Sequence, residues 1–162
     1  MTIRPATVDD VDAIIPMVDR ICQFHEQRDP VRFAYVPKAA EMYRGWLTER
    51  VTDPESVLLV ADRGHGQLVG FLAAATQREL PIYRTGKIGF IHDVWVEEAY
   101  RNEGIARQMI MLALEHFAQI GIDQVRLDVL VSNGRAEALF RACGFRPSTM
   151  TMVWGKGNEQ VV

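Results

Sequence analysis

The sequence is poor in the residues that build special scaffolds. Among 162 residues there are only two cysteines, Cys22 and Cys143. That rules out a disulfide framework or a Cys/His metal knot, and no metal is expected. No apolar run approaches the roughly 20 residues needed to cross a bilayer, so no membrane-spanning helix is expected. Positive charge is not in excess: 18 Lys+Arg against 21 Asp+Glu give a formal charge of −3. That balance argues against nucleic acid or an anionic membrane as a partner. The phosphate-binding pattern G-x-x-x-x-G-K-[ST] is missing. Residues 64–70 (GHGQLVG) place Val69 where the dinucleotide fingerprint needs a third glycine, and no helix follows. No linker, composition shift or internal repeat divides the chain, so one domain over 1–162 is expected. The opening MTIRPATVDDVDAI lacks a charged-then-apolar layout, which makes a reducing cytoplasm the expected location.

What is present fits a globular α/β chain, with 48% hydrophobic and 24% charged residues and enough length to bury a core. Thr2–Ala6 reads as a short strand, and Thr7 with Asp10 as a capping signal. The apolar spacing of Val8, Val11, Ile14, Ile15, Val18, Ile21 and Cys22 predicts a helix, with Pro16 expected to kink it. Residues 24–37 read as an irregular aromatic connection, and Pro37 as the opening of a second helix to Thr52. Ser56–Arg63 and Gln67–Gln77 read as a hairpin around Gly64-His65-Gly66. Lys87–Glu97 is a longer strand and Ile105–Ile120 an amphipathic helix ending at Gly121. Gln124–Val131 is a strand, Arg135–Cys143 a short helix closed by Gly144, and Phe145–Trp154 a last strand. That order predicts a mixed α/β sheet with helices against it.

One stretch carries chemistry. A strand runs through His92 and Asp93 into a turn, Arg101-Asn102-Glu103-Gly104, and a helix begins at Ile105-Ala106-Arg107. Unsatisfied N–H groups at a helix start form an anion site, reinforced by the helix dipole. Gly104 and Ala106 leave room for a phosphate, and Arg101 and Arg107 bring positive charge. After the following strand, Asn133 stands ready to cap the helix that carries Ala136 and Phe140.

The pairing of Arg101-x-x-Gly104-x-Ala106 with Asn133-x-x-Ala136-x-x-x-Phe140-x-x-x-Gly144-Phe145 resembles the GNAT acetyltransferase superfamily, over nearly the whole chain. The resemblance implies a mixed, mostly antiparallel sheet flanked by helices and splayed between the strands near 87–97 and 124–131. It implies acetyl-CoA as acyl donor, its diphosphate on the Arg101–Arg107 turn. Backbone groups of Val94, Trp95 and Val96 would pair with its pantetheine arm, with Asn133, Ala136 and Phe140 alongside. An N–H of Val94 or Trp95 would face the thioester oxygen.

A primary amine is mostly protonated near neutrality, so a base is required. In register from Arg101, the family's familiar carboxylate position falls on His92, and Asp93 follows. His92 can serve as the base, or Asp93 can, with neighbours on a regular strand pointing to opposite faces. Opposed to this is a partly buried structural histidine on one face with Phe90 and Val94. Where many members place a tyrosine that protonates the leaving thiolate, this chain has Phe140, so Tyr100 and Tyr83 are the fallback donors. Cys143 reads as a small core residue. By the same resemblance, Phe24, His25, Glu26 and Tyr83 would shape the pocket for a small-molecule or peptide amine, unless these aromatics only cover the core. Trp154 reads as a packing residue or a contact with a second copy in a homodimer. The competing reading is a catalytically silent acyl-CoA-binding or regulatory module, motivated by Phe140 and by the missing carboxylate at position 92.

Overall fold

The computed structural model describes residues 1–155. Within them the chain runs β1 (Thr2–Pro5), α1 (Val11–Arg28), α2 (Ala39–Thr52), β2 (Ser56–Asp62), β3 (Leu68–Arg78), β4 (Lys87–Val96), α3 (Ile105–Gln119), β5 (Val125–Leu127) and α4 (Gly134–Ala142). The strands form one sheet in the order β1-β2-β3-β4-β5. All neighbours are antiparallel except β4 and β5, which run parallel.

The alternation along β2 and β3 explains the layering. Val57, Leu59, Leu72 and Ala74 point to one face, where they meet Ile105, Met109, Ile110, Ala113 and Phe117 of α3. Leu58, Val60, Phe71 and Ala73 point to the other, against Ile14, Val18 and Ile21 of α1 and Leu47 of α2. Both faces of the central strands are covered, so β2 reads as a nearly continuous apolar run. Phe117 and Phe71 are inaccessible to solvent, and burying a side chain of that size contributes about 2–3 kcal/mol. At Gly89 of β4 the ring of Phe117 approaches so closely that an added Cβ would lie 2.8 Å from it.

Local signals end the elements. The carboxylate of Asp10 accepts from the Thr7 N–H at 2.7 Å and from its hydroxyl at 2.9 Å. It also takes a bidentate contact from Arg4, at 2.7 and 2.9 Å, which bridges to Asp62. The β2–β3 turn runs through positive φ at Gly64, His65 and Gly66.

Four expectations need correction. Phe24–Arg28 belong to α1 rather than to an irregular connection, because the helix continues to Arg28 in one run through Pro16. The second helix starts at Ala39, two residues beyond Pro37, after Lys38 takes a left-handed conformation. The strand expected over 124–131 pairs only over Val125–Leu127. Phe145–Trp154 forms no strand: an alternating pattern supplies side-chain faces, but a strand needs a ladder partner, and none is formed there among the described residues. Trp154 is 85% exposed. Among the described residues no helix is long and apolar enough to cross a membrane.

Candidate active site

The pairing of β4 with β5 covers three residue pairs, Gly89–Val125, Phe90–Arg126 and Ile91–Leu127. β4 itself continues to Val96, so the two strands part after Ile91. On the other edge Glu97 donates its N–H to Val69 O at 2.9 Å. Ladder alternation then turns the polar groups of Trp95 toward β3 and those of Val94 and Val96 toward the gap. The gap belongs to a cleft of about 2020 Å³ that runs from the α1–α2 connection to α4.

Where the strands part, β4 carries a bulge. Ala73 pairs with Asp93 and Ala74 with Ile91, which leaves His92 as an extra residue. A bulge breaks the alternation of side chains and re-aims them. Here it sends both His92 and Asp93 toward α2. Trp46 packs edge-on against the His92 ring, with centroids 4.9 Å apart, while Tyr43 donates its hydroxyl to Asp93 Oδ2 at 2.7 Å. The expectation that these neighbours oppose one another is therefore overturned. His92 shares its face with Phe90, 5.0 Å between ring centroids, but not with Val94, which packs on the α3 side.

The environment tunes both groups. Desolvation among these rings, and next the positive charge of Arg50, hold the His92 pKa below the usual histidine value. Burial pushes the Asp93 carboxyl up, opposed by the hydrogen bond from Tyr43. The same burial, with the charge of Asp93, raises the Tyr43 phenol. Cys22 is raised to about 11, first by burial and then by Asp93.

At the end of β4 the chain turns through Arg101, Asn102, Glu103 and Gly104. Asn102 and Gly104 have φ of 70° and 79°, and Gly104 is the N-cap of α3. No side chain caps this helix, and Gln108 N–H to Gly104 O is the backbone bond that closes its first turn. A Cβ at Gly104 would meet no protein atom within 4 Å, so space lies open above the amides of Ile105, Ala106 and Arg107. Arg101 turns back: its Nε donates to Val96 O at 2.9 Å and its guanidinium lies 4.8 Å from the Trp95 ring. Arg107 and Glu103 are exposed. Arg135, from α4, donates to Asn102 Oδ1 at 2.8 Å and brings an additional positive charge to the turn.

Asn133 caps α4, its Oδ1 accepting from the Ala136 N–H at 3.2 Å. Phe140 lines the cleft and packs edge-on against Phe145. Cys143 also lines the cleft, its thiol raised by burial. Tyr100 is engaged elsewhere, its oxygen accepting from Arg63 at 2.7 Å.

On the α1–α2 side, His25 and Tyr83 line the cleft, whereas Phe24 and Glu26 do not. Phe24 packs under Arg28, 3.5 Å from its guanidinium, and edge-on to Trp95. Glu26 is exposed. His25 stacks on Phe33, 4.8 Å between centroids, and its Nδ1 lies 3.4 Å from the Tyr35 hydroxyl. Tyr35, which the aromatic stretch 24–37 already offered for the acceptor side, lines the cleft, and Tyr43 and Cys22 line it without having stood out as site residues. Tyr43 carries only its position on a helix as a signal. Its meeting with Asp93 depends on packing across the sheet.

The sequence model of the Acetyltransferase (GNAT) family matches residues 19–145. An uncharacterized N-acetyltransferase of Methanocaldococcus jannaschii is 29% identical over 154 residues, 94% of this chain and 64% of that protein. The mycothiol acetyltransferase of Thermobifida fusca is 27% identical over 109 residues, 67% of this chain and 34% of that protein. The chain thus spans less than two thirds of the length of either relative. The BH1408 protein of Bacillus halodurans, solved as a tetramutant, has a similar fold: TM-score 0.81 at 22% identity, covering 96% of this chain and 99% of that one.

Proposed function

The chain belongs to the acetyltransferase (GNAT) family, and from that premise we propose that it transfers an acetyl group from acetyl-CoA to a primary amine by direct attack in a ternary complex. In this reading residues 1–162 act as one GNAT-like domain. The observation that carries the proposal is the β4 bulge, which sets His92 and Asp93 side by side where the β4 edge becomes free.

The residues at the tip of α3 suit a diphosphate. Uncapped helical amides and an unobstructed Gly104 offer main-chain donors, and Arg107 and Arg135 add charge. Asn102, Glu103, Ile105 and Ala106 shape that turn, and Arg101 braces it from beneath. Along the gap, the main-chain groups of Val94 and the N–H of Val96 pair with the amide-bearing arm as an added strand would, Val96 O being held by Arg101. Phe140 stands on the opposite wall, on the helix that Asn133 caps and Ala136 opens. When bound, acetyl-CoA supplies the activated acyl group. The Val94 N–H faces the side of the gap where negative charge grows on the acyl oxygen, and a fixed donor there lowers the barrier.

His92 is the proposed base. A primary amine with a pKa near 10.4 is only about 0.04% neutral at pH 7, so the proton must leave before or during attack. A histidine with a lowered pKa is neutral at that pH and free to accept it. Asp93, held by Tyr43, orients the ammonium for that transfer. Phe140 offers no proton to the leaving sulfur. A thiol of pKa about 8.5 leaves as its anion and takes a proton from water.

The test is thiol release from acetyl-CoA. Release should require an added amine, and CoA should raise the melting temperature by binding the native state. CoA binding with no release across a broad panel of amines and peptides would instead favour a silent acyl-CoA-binding module.

A further inference from the structure

The cleft on the α1–α2 side has an uneven charge distribution. Three acids line it there: Asp29, Glu79 and Asp93. Glu79 is matched by Arg126 in a two-pronged contact, at 3.0 and 2.9 Å. Asp29 accepts from the backbone N–H of Arg32 at 2.9 Å, and the Arg32 guanidinium stands 5.0 Å from the Phe33 ring. Asp93 pairs with no cation among the described residues. Its Oδ2 takes the Tyr43 hydroxyl, and among the described residues no donor reaches Oδ1.

Resting on the acetyl-transfer reading above, we infer that the acceptor is a primary monoamine with a compact apolar or aromatic body, its ammonium on Asp93 Oδ1 and its body against His25, Phe33, Tyr35 and Phe90. A partly buried carboxylate with one open oxygen and no cation partner is a site for one positive charge. The aromatic wall is continuous: His25 stacks on Phe33 and Phe33 on Tyr35, with centroids 4.8 and 6.1 Å apart. Such a wall gains from an apolar body, and the polar atoms of His25 and Tyr35 face each other at 3.4 Å rather than the body of the ligand. A second ammonium on the same acceptor meets the side of the cleft where Asp29 is held by the Arg32 N–H and Glu79 is matched by Arg126, so polyamines and aminoglycosides are disfavoured. His92, turned to the same side by the bulge, stands beside the ammonium it must deprotonate.

The experiment compares 2-phenylethylamine, spermidine, kanamycin and the uncharged 2-phenylethanol on the full chain. Binding is read from melting temperature with saturating CoA, and turnover from thiol release with acetyl-CoA. The expected result is that 2-phenylethylamine raises the melting temperature of the wild-type chain and not of Asp93→Asn, that 2-phenylethanol has little effect, and that kcat/KM for 2-phenylethylamine exceeds that for spermidine or kanamycin at least tenfold. Spermidine or kanamycin performing within tenfold of it, or 2-phenylethylamine binding to neither state of the protein, overturns the inference. So does equal binding by Asp93→Asn. If that variant does not fold, the ranking of acceptors on the unaltered chain decides. The two readings separate cleanly. Amine binding without thiol release removes acetyl transfer and keeps the monoamine site, whereas rapid turnover of spermidine does the reverse.

Discussion

Tyr43 in α2 and Asp93 in β4, fifty positions apart, are joined by a 2.7 Å hydrogen bond from phenol to carboxylate. The bond ties the helix that roofs the cleft to the bulged strand at its floor. It also fixes which carboxylate oxygen faces the cleft.

Removing that phenol is the first prediction. Tyr43→Phe leaves a partly buried carboxylate without its donor, at a cost of about 1–3 kcal/mol. The melting temperature should fall accordingly. The raised pKa of Asp93 should rise further, because the hydrogen bond is the influence that lowers it. Acetyl transfer should drop while CoA affinity, measured calorimetrically, stays within twofold.

The second concerns pH. As the proposed base His92 must be neutral to accept a proton, and its pKa lies below the usual value near 6.5. On the acid side, kcat/KM should rise with pH through an inflection below 6.5 and be level from there toward neutrality. His92→Ala should cut kcat by about 10²–10⁴ and erase that inflection, with CoA binding preserved. A limb that persists in the variant removes His92 from the proton path.

A third prediction separates the cofactor end from the base. At Gly104, φ is +79° and a Cβ would touch no protein atom. Gly104→Val therefore acts through backbone strain, about 1–2 kcal/mol, and through obstruction of the ligand. CoA should bind at least tenfold more weakly. Gly104→Ala should fall between the two, since the loss scales with the bulk above the helix tip.

The fourth tests how α3 is seated. An added methyl at Gly89 would lie 2.8 Å from the fully buried ring of Phe117. Gly89→Ala should destabilise the fold by about 1–3 kcal/mol, read from urea unfolding. Gly89→Ala with Phe117→Leu should recover part of the loss, because the smaller side chain yields the space.

Much of the frame is legible in the amino-acid order alone. The 3.6-residue period of Ile105, Met109, Ala113 and Phe117 marks α3, the strand-like apolar runs on either side of Gly64-His65-Gly66 mark the β2–β3 hairpin, and the caps at Thr7–Asp10 and Asn133 stand within three residues of the groups they bond. These signals are local, since hydrogen bonds and side-chain faces within one element follow from neighbouring residues. The turn from Arg101 to Gly104 was readable for the same reason. Other features depended on partners distant in sequence. Whether 145–154 forms a strand depends on a free edge to pair with, which no alternation pattern reports. The bulge at His92 arises from a one-residue mismatch between β3 and β4. The Tyr43–Asp93 and Glu79–Arg126 contacts exist only once α2 lies on the sheet and β5 lies beside β4. Register and packing set which side chains face each other across the cleft, and both are properties of the assembled sheet.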